Sequence, residues 1–502
     1  MQVTRQLGLI KHRSYVRVSR VAPNVDICPF DHKLSTLERA VKERVFFVKD
    51  ATAPGGFAPP PQPEIGYFGT KMGDFRSSLN KHVRKTAPWT YTEFVQSYEG
   101  RKRTVYEEAL VELREGYGTI EEDAQVHVFI KNEKTDRTTK QDPVPRVISP
   151  RSPKYNLRVG RFLKKIEHRV FKAIGDLFEH PTVMKGYDIH RTASLMREKW
   201  EMLDNPVAIG LDASRFDQHV SIEALQFEHS MYMDWFATKK DRVKLARLLR
   251  LQEKNHCVGY TPDGIIKYTT EGTRMSGDMN TSLGNCILMC GMIWTFLRER
   301  GIKGHLANNG DDCVVFVEKR DLEKFSIGLS DWFIKLGFNM VVEEPVQEFE
   351  QIEFCQTKPI FDGISWVMCR NPHTAIPKDA TMLDAYQNSP GKFLGWLDAV
   401  GIGGLSMTGG LPVFQSFYRM YVRSGKKRKI SPHLMSWNMR RHLKVGTLRR
   451  EGEVSPDARA SFYWAFGMTP DEQIELENYY DGMTITSDLA EVVEPRGVFP
   501  DL

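Results

Sequence analysis

Apolar residues change their spacing several times along this chain, and each change marks a different element. Val207-Ala-Ile-Gly-Leu211 is too short a run for a helix and continuous enough for a buried strand. Leu306-Ala-Asn-Asn-Gly310 and Cys313-Val-Val-Phe-Val317 flank Asp311-Asp312, which predicts strand, tight turn, strand, with Asn308, Asn309 and Gly310 supplying the turn chemistry. Residues 258–268, with Pro262-Asp-Gly264 at their centre, predict a second hairpin. Helical spacing sets Phe162, Ile166, Val170, Ile174 and Leu177 on one side of residues 161–178, and residues 104–115 are similarly amphipathic. Thr281, Asn285, Met289 and Met292 carry that spacing into an apolar stretch. Ser35-Thr-Leu-Glu38 reads as a capping box opening a charged helix that ends near Phe46. Residues 51–63, rich in proline and glycine, predict a loop or linker. From about 206 to 370 strands and helices alternate without a strict parallel pattern, and beyond Asn371 the text is mainly helical.

Composition narrows the class. A chain of 502 residues has room for roughly two to four domain-sized units. Its 41% hydrophobic and 27% charged content reads as globular rather than disordered. The net charge of +6 fits a nucleic-acid partner without establishing one; its distribution says more. Basic clusters occupy 101–103, 161–165, 426–429 and 440–450, and the segment after Arg450 is acidic. Seven cysteines without a C-x-x-C pair argue against a disulfide framework and a thiolate zinc site, and imply a reducing setting with Cys286 and Cys290 as core residues. The longest apolar run, 286–297, falls short of the ~20 residues that span a bilayer, and the first sixteen residues are too mixed in charge for a signal peptide. The expectation is a chain with no membrane segment of its own.

The candidate chemistry lies in three acidic segments: Asp212 to Asp217, Ser276 to Asn285, and Gly310-Asp311-Asp312. Asp212 ends one predicted strand and Asp311 sits in the turn of a hairpin, so adjacent strands of one sheet would bring both carboxylates to the same rim. Magnesium binds oxygen, keeps several waters, and needs only one or two protein carboxylates beside substrate phosphates. Two such ions, roughly 3.5–4 Å apart, serve phosphoryl transfer. Asp212 and Asp311 are the expected ligands of both, with Asp312 supporting. Gly-Asp-Asp alone would read as a solvated turn. The middle segment changes this, because Thr281 and Asn285 share a helix face, and a hydroxyl and an amide directed at Asp217 suit a ribose 2′-OH.

These residues closely resemble the catalytic motifs of the RNA-dependent RNA polymerases of positive-strand RNA viruses, most of all Tombusviridae and their umbravirus-like relatives. Asp212 and Asp217 match motif A; Ser276, Gly277, Thr281 and Asn285 match motif B; Gly310-Asp311-Asp312 match motif C. The resemblance covers about 125 to 370, more loosely from 66. It implies that Lys134, Lys140 and Arg146, in a segment similar to motif F, meet the triphosphate of the entering nucleotide. Arg146, between Pro145 and Val147-Ile148, has a fork suited to phosphate and is expected to be semi-buried. Lys131 and Arg137 default to a solvated face; Lys131, Arg161, Lys426 and Arg440 are further RNA-binding candidates. Two departures stand out. The loop after motif D, Gly337 to Glu344, has no lysine, and Lys335 reads as a surface residue at a helix end; residues 352–358 match motif E by position more than by spelling.

The resemblance implies an α+β right-hand architecture: an N-terminal extension and linker (1–65), fingers (66–205), a palm with a split βαβ antiparallel sheet (206–370), and a mainly helical thumb with an acidic C-terminal region (371–502). It implies two-metal nucleotidyl transfer from nucleoside triphosphates to an RNA 3′-OH, with Mg2+ as cofactor and Mn2+ able to substitute. Template and product RNA, and a membrane-anchored viral replication protein, are the implied partners, in membrane-associated replication complexes of the host cytoplasm. Two rivals share the carboxylates: a reverse transcriptase, and a non-catalytic RNA-binding replication factor.

Overall fold

A computed structural model describes residues 1–10, 12–22, 25–140, 142–383, 390–425 and 434–493. Helices and strands are mixed throughout, and the element that positions the predicted chemistry is a four-stranded antiparallel sheet. Its order is Gly304–Asn309, Asp312–Glu318, Pro206–Ala213, Met340–Val342. The strand expected at 207–211 and the strand–turn–strand around Asp311-Asp312 are both present.

Alternation within this sheet explains why its strands read as unbroken apolar runs. Val207, Ile209, Leu211, Leu306, Val315 and Val317 face one core, while Ala208, Ala307, Val314 and Phe316 face another. A strand covered on both faces has no need of polar alternation. The first core is built with helix Thr281–Glu299, whose residues Leu283 to Leu297 are all buried, and with helix Pro153–Leu177. Each fully buried large apolar side chain there contributes about 1.5–3 kcal/mol. The second core lies under helix Ile189–Glu201 and the hairpin Thr357–Phe361 with Trp366–Arg370. Helix Pro153–Leu177 begins well before the apolar stripe at Phe162, because Ser152 accepts the Tyr155 N–H and Pro153 fits the first turn.

The predicted hairpin at 258–268 extends to Lys254–Thr261 and Gly264–Glu271. Strand Gln2–Arg5 pairs with one edge, and Val126–His127 runs parallel to the other. Helix Leu34–Val41 packs on this sheet and continues as a π-helical turn to Phe46, ending where expected. The capping box at Ser35 is absent. The N-cap is Lys33, and the orphan Leu34 N–H is satisfied from a distance by the Asp263 carboxylate at 2.8 Å. A local motif was overridden by a tertiary partner that no short-range pattern reveals.

The segment expected as an N-terminal extension and linker (1–65) contributes strands to the sheets of the molecule. Beyond Gln2–Arg5, strand Tyr15–Val18 is the centre of a three-stranded sheet between Thr381–Met382 and Ala490–Val493. The region after Asn371 is mainly helical, as expected, including Pro390–Thr408, Phe414–Ser424, Pro456–Phe466 and Pro470–Gly482. All seven cysteines are unbridged, and Cys286 and Cys290 are fully buried. Among the described residues no helix is long and apolar enough to cross a membrane.

Candidate active site

The sheet register sets Asp212 opposite Asp312 on neighbouring strands, and Asn309 opposite Asp312 across the hairpin. Asp311 therefore stands at the turn beside both. Gly310, at φ +88°, begins this two-residue turn, a conformation that glycine adopts without strain. Asn308, fully buried, holds the turn from beneath: its amide nitrogen donates to the Gly310 carbonyl at 2.7 Å and its amide oxygen accepts the Gly310 N–H at 3.3 Å.

The carboxylates repel one another. Burial, then Asp311, lifts the Asp212 carboxyl above the ordinary range, with Lys140 opposing. Burial, then Asp311 and Asp212, pushes Asp312 up to about 6. Positive charge nearby favours their ionised forms, and Lys140 and Lys185 supply part of it. Among the described residues no group of three or more His, Cys, Asp or Glu side chains is gathered as a metal cage. Glu343, unnoticed in the sequence, lies against Gly210 and is raised above its usual value by burial and by Glu353, Asp212 and Asp312.

Beside the hairpin is a cavity of about 290 Å³. Its walls carry Asp311, Asp217 and Ser276 with the cations Lys131, Arg146, Arg44, Arg215 and Arg274. Asn285 donates its amide Nδ2 to Asp217 Oδ1 at 2.9 Å. Burial raises Asp217 to about 6 in spite of that bond. Thr281 donates to the Met275 carbonyl at 2.8 Å, and Ser276 Oγ accepts the Ser149 N–H at 3.2 Å. Thr281 is the first helical residue and Asn280 the N-cap, so neither Ser276 nor Thr281 is a helix cap. A Cβ on Gly277 would lie 2.6 Å from Pro150 Cα and 2.9 Å from the Ser149 oxygen, so only glycine fits.

The cationic candidates divide. Arg146 reaches the cavity wall, but it is exposed rather than semi-buried, and it grips both carboxylate oxygens of Glu133. Lys131, assigned by default to a solvated face, lines the cavity and pairs with the same Glu133 at 3.0 Å. Lys140 is exposed yet close enough to act on Asp212. Lys134 turns away from the cavity: its ammonium donates to the Lys378 carbonyl, and burial pushes it down to about 8. Arg161 is likewise occupied within the fold, donating to the Trp89 carbonyl at 2.7 Å and stacking on Tyr91. Arg440 is exposed on helix Trp437–Val445; Lys426 lies outside the described residues. Lys335 is exposed at the end of helix Leu329–Ile334, where the surface reading put it.

Beyond the hairpin a second cavity, about 560 Å³, is bordered by Lys185, Ser282, Asn309, Cys355, Arg370 and His442. Cys355 and Gln356 have positive φ in a tight turn, and Asn309 donates to the Cys355 sulfur at 3.0 Å. The segment 352–358 is thus a turn leading into the hairpin Thr357–Arg370, touching the strand that ends at Asn309. Sequence reasoning missed Arg44, Arg215, Arg151, Glu228 and Arg274. Arg44 came from a segment without a motif; burial and repulsion from Arg215 and Arg146 hold it near 10. Arg151 is buried and clamps Asp278 through Nε at 2.5 Å, tying residues 149–151 to the loop that carries Ser276.

Carboxylates that repel one another beside guanidinium and ammonium groups are suited to a polyphosphate held through divalent cations, the setting of a nucleotidyltransferase. The chain belongs to the viral RNA-dependent RNA polymerases: residues 1–488 match the model of that family. It is 51% identical over 518 residues to the RNA-directed RNA polymerase of oat chlorotic stunt virus (isolate United Kingdom), covering 100% of this chain and 69% of that protein. It is 43% identical to that of tobacco necrosis virus (strain A), over 94% of this chain and 64% of the relative. For turnip crinkle virus the figures are 40%, 95% and 60%. The chain thus spans 60 to 69% of the length of these three relatives. They come from Tombusviridae and related plant viruses, as the motifs implied.

Proposed function

We propose that this chain is the catalytic part of an RNA-directed RNA polymerase, with fingers at 66–205, a palm at 206–370 and a thumb at 371–502. The observation that carries the reading is the register: Asp212 opposite Asp312, next to Asp311, which lines a cation-walled cavity. A 3′-hydroxyl of RNA attacks the α-phosphate of a nucleoside triphosphate, forming the new ester and breaking the bond to pyrophosphate. Asp212, Asp311 and Asp312 would hold two Mg2+ ions, which when bound increase the acidity of the attacking hydroxyl and neutralise the leaving pyrophosphate. Arg146, Lys131 and Lys140 supply cations for the triphosphate, and the rest is positioning. Asp217, held by the Asn285 amide, presents an acceptor to the ribose.

The reverse-transcriptase reading is disfavoured by Asp217, held by Asn285, because a deoxyribonucleotide would leave the second Asp217 carboxylate oxygen unpaired. Template and product RNA follow from the reaction. A membrane-anchored viral partner and a cytoplasmic replication complex remain part of the proposal on resemblance alone. Purified protein, a short defined RNA template and ribonucleoside triphosphates with Mg2+ test it: labelled RNA should form, and none with Asp311→Ala. Equal product from the parent and Asp311→Ala, or faster synthesis with deoxyribonucleotides, would reject it.

A further inference from the structure

Beneath the Asp217–Asn285 pair lies a buried ionic network that no motif requires. Glu228, on helix Ile222–Asp234, is fully buried and accepts from both terminal nitrogens of Arg274, from Asn280 Nδ2 at 2.9 Å and from the Tyr232 hydroxyl at 2.6 Å. Arg274 spends its remaining Nε–H on Asn285 Oδ1 at 3.1 Å. An amide has one acceptor end and one donor end. With Oδ1 turned to Arg274, Nδ2 must point to Asp217, where it donates at 2.9 Å. Asp217 Oδ2 then has no hydrogen bond among the described residues, and Asp217 lines the cavity.

A second observation shows that the pair is built into the packing. A Cβ on Gly284 would sit 2.3 Å from Glu228 Oε1 and 2.4 Å from Arg274 Nη2. Glycine inside a helix costs about 1 kcal/mol relative to alanine, and here it leaves the space the ion pair occupies. Burying two charges is weak evidence for stability, since apolar replacements are often neutral or better; a specific geometric duty accounts for the arrangement.

We propose that Arg274, oriented by Glu228, is a positioning residue for sugar discrimination: it fixes the Asn285 amide so that Asp217 keeps one oxygen free as the acceptor for a ribose 2′-OH. The inference rests on the polymerase reading and deepens it. Without the Arg274 Nε–H the Asn285 amide would be anchored by Asp217 alone, the pair could turn together about that one bond, and the free oxygen would lose its place. Ribonucleotides need that oxygen and deoxyribonucleotides do not.

The test is the ratio of kcat/KM for a ribonucleoside triphosphate to that for its 2′-deoxy counterpart, on one RNA template. Arg274→Lys keeps a positive charge but cannot serve Glu228 and Asn285 together. Arg274→Met combined with Glu228→Gln removes the donor to Asn285 without leaving a buried charge, and the amide oxygen that replaces the carboxylate can still accept from Asn280 and Tyr232, so the same contact is tested in a second form where the first does not fold. The ratio should fall about tenfold in whichever variant melts near the parent, through loss of ribonucleotide efficiency alone. A role confined to stability would lower both substrates equally, and an unchanged ratio in a folded variant overturns the proposal. Absence of ribonucleotide incorporation by the parent protein would instead reject the polymerase reading itself.

Discussion

Gly277→Ala probes the clamp between the Ser276 loop and residues 149–151 with the smallest possible change. The added methyl would lie 2.6 Å from Pro150 Cα and 2.8 Å from Pro150 N. Both are backbone atoms in a segment anchored by the buried Arg151–Asp278 pair, so no flexible side chain can swing aside. Ordinary carbon–carbon contact begins near about 3.5 Å, and one of the two segments must move by roughly 1 Å. Overpacking of that kind costs about 1–3 kcal/mol of stability. The larger effect is on chemistry, because Ser276 and Ser149 part and the loop shifts relative to Asp311; a displacement near 1 Å at a reacting site lowers the rate by roughly a hundredfold. Single-turnover incorporation of one ribonucleotide, measured with thermal melting of the same preparation, reads both effects. A Gly277→Ala protein that turned over within about threefold of the parent with an unchanged Tm would refute the clamp.

Asp311→Ala should lower incorporation by about a hundredfold or more while fluorescence anisotropy shows RNA binding largely retained, since the cationic walls are untouched. Asn308→Ala leaves the Gly310 N–H and carbonyl without their buried partner, and urea unfolding should show a loss of about 1–3 kcal/mol along with slower turnover. Lys199 is fully buried against His180 and the Pro181 carbonyl, and burial depresses its ammonium from 10.5 to about 7. Below pH 7 both folded and unfolded chains keep that proton and the desolvation penalty is fully present. Between about 7 and 10.5 the folded chain has released it and the unfolded chain has not, so stability rises with pH. Lys199→Met should therefore be stabilising near pH 6, with the advantage shrinking by pH 9; denaturation curves at the two pH values that show a constant difference would contradict this assignment.

The acidic segments were legible because their chemistry coincides with local structure: an apolar run stops at Asp212, turn residues surround Asp311, and helical spacing joins Thr281 to Asn285. What escaped depends on partners distant in sequence. The helix at Leu34 took its cap from Asp263, and Arg161 went to the Trp89 carbonyl instead of outward. Lys131 and Lys134 are three residues apart in one basic run, yet one faces the cavity and the other turns to Lys378; charge alone cannot distinguish them. Glu228 and Arg274, 46 positions apart, form a buried ion pair that no local pattern announces.

Strand Tyr15–Val18 occupies the middle of its sheet, with Ala490–Val493 along one edge. During synthesis Tyr15–Val18 waits for a neighbour that lies far along the chain, and closing so long a loop delays their docking. Nascent chains should hence stay incompletely assembled until Ala490–Val493 emerges, and deleting those four residues should slow maturation even where the aspartates are intact.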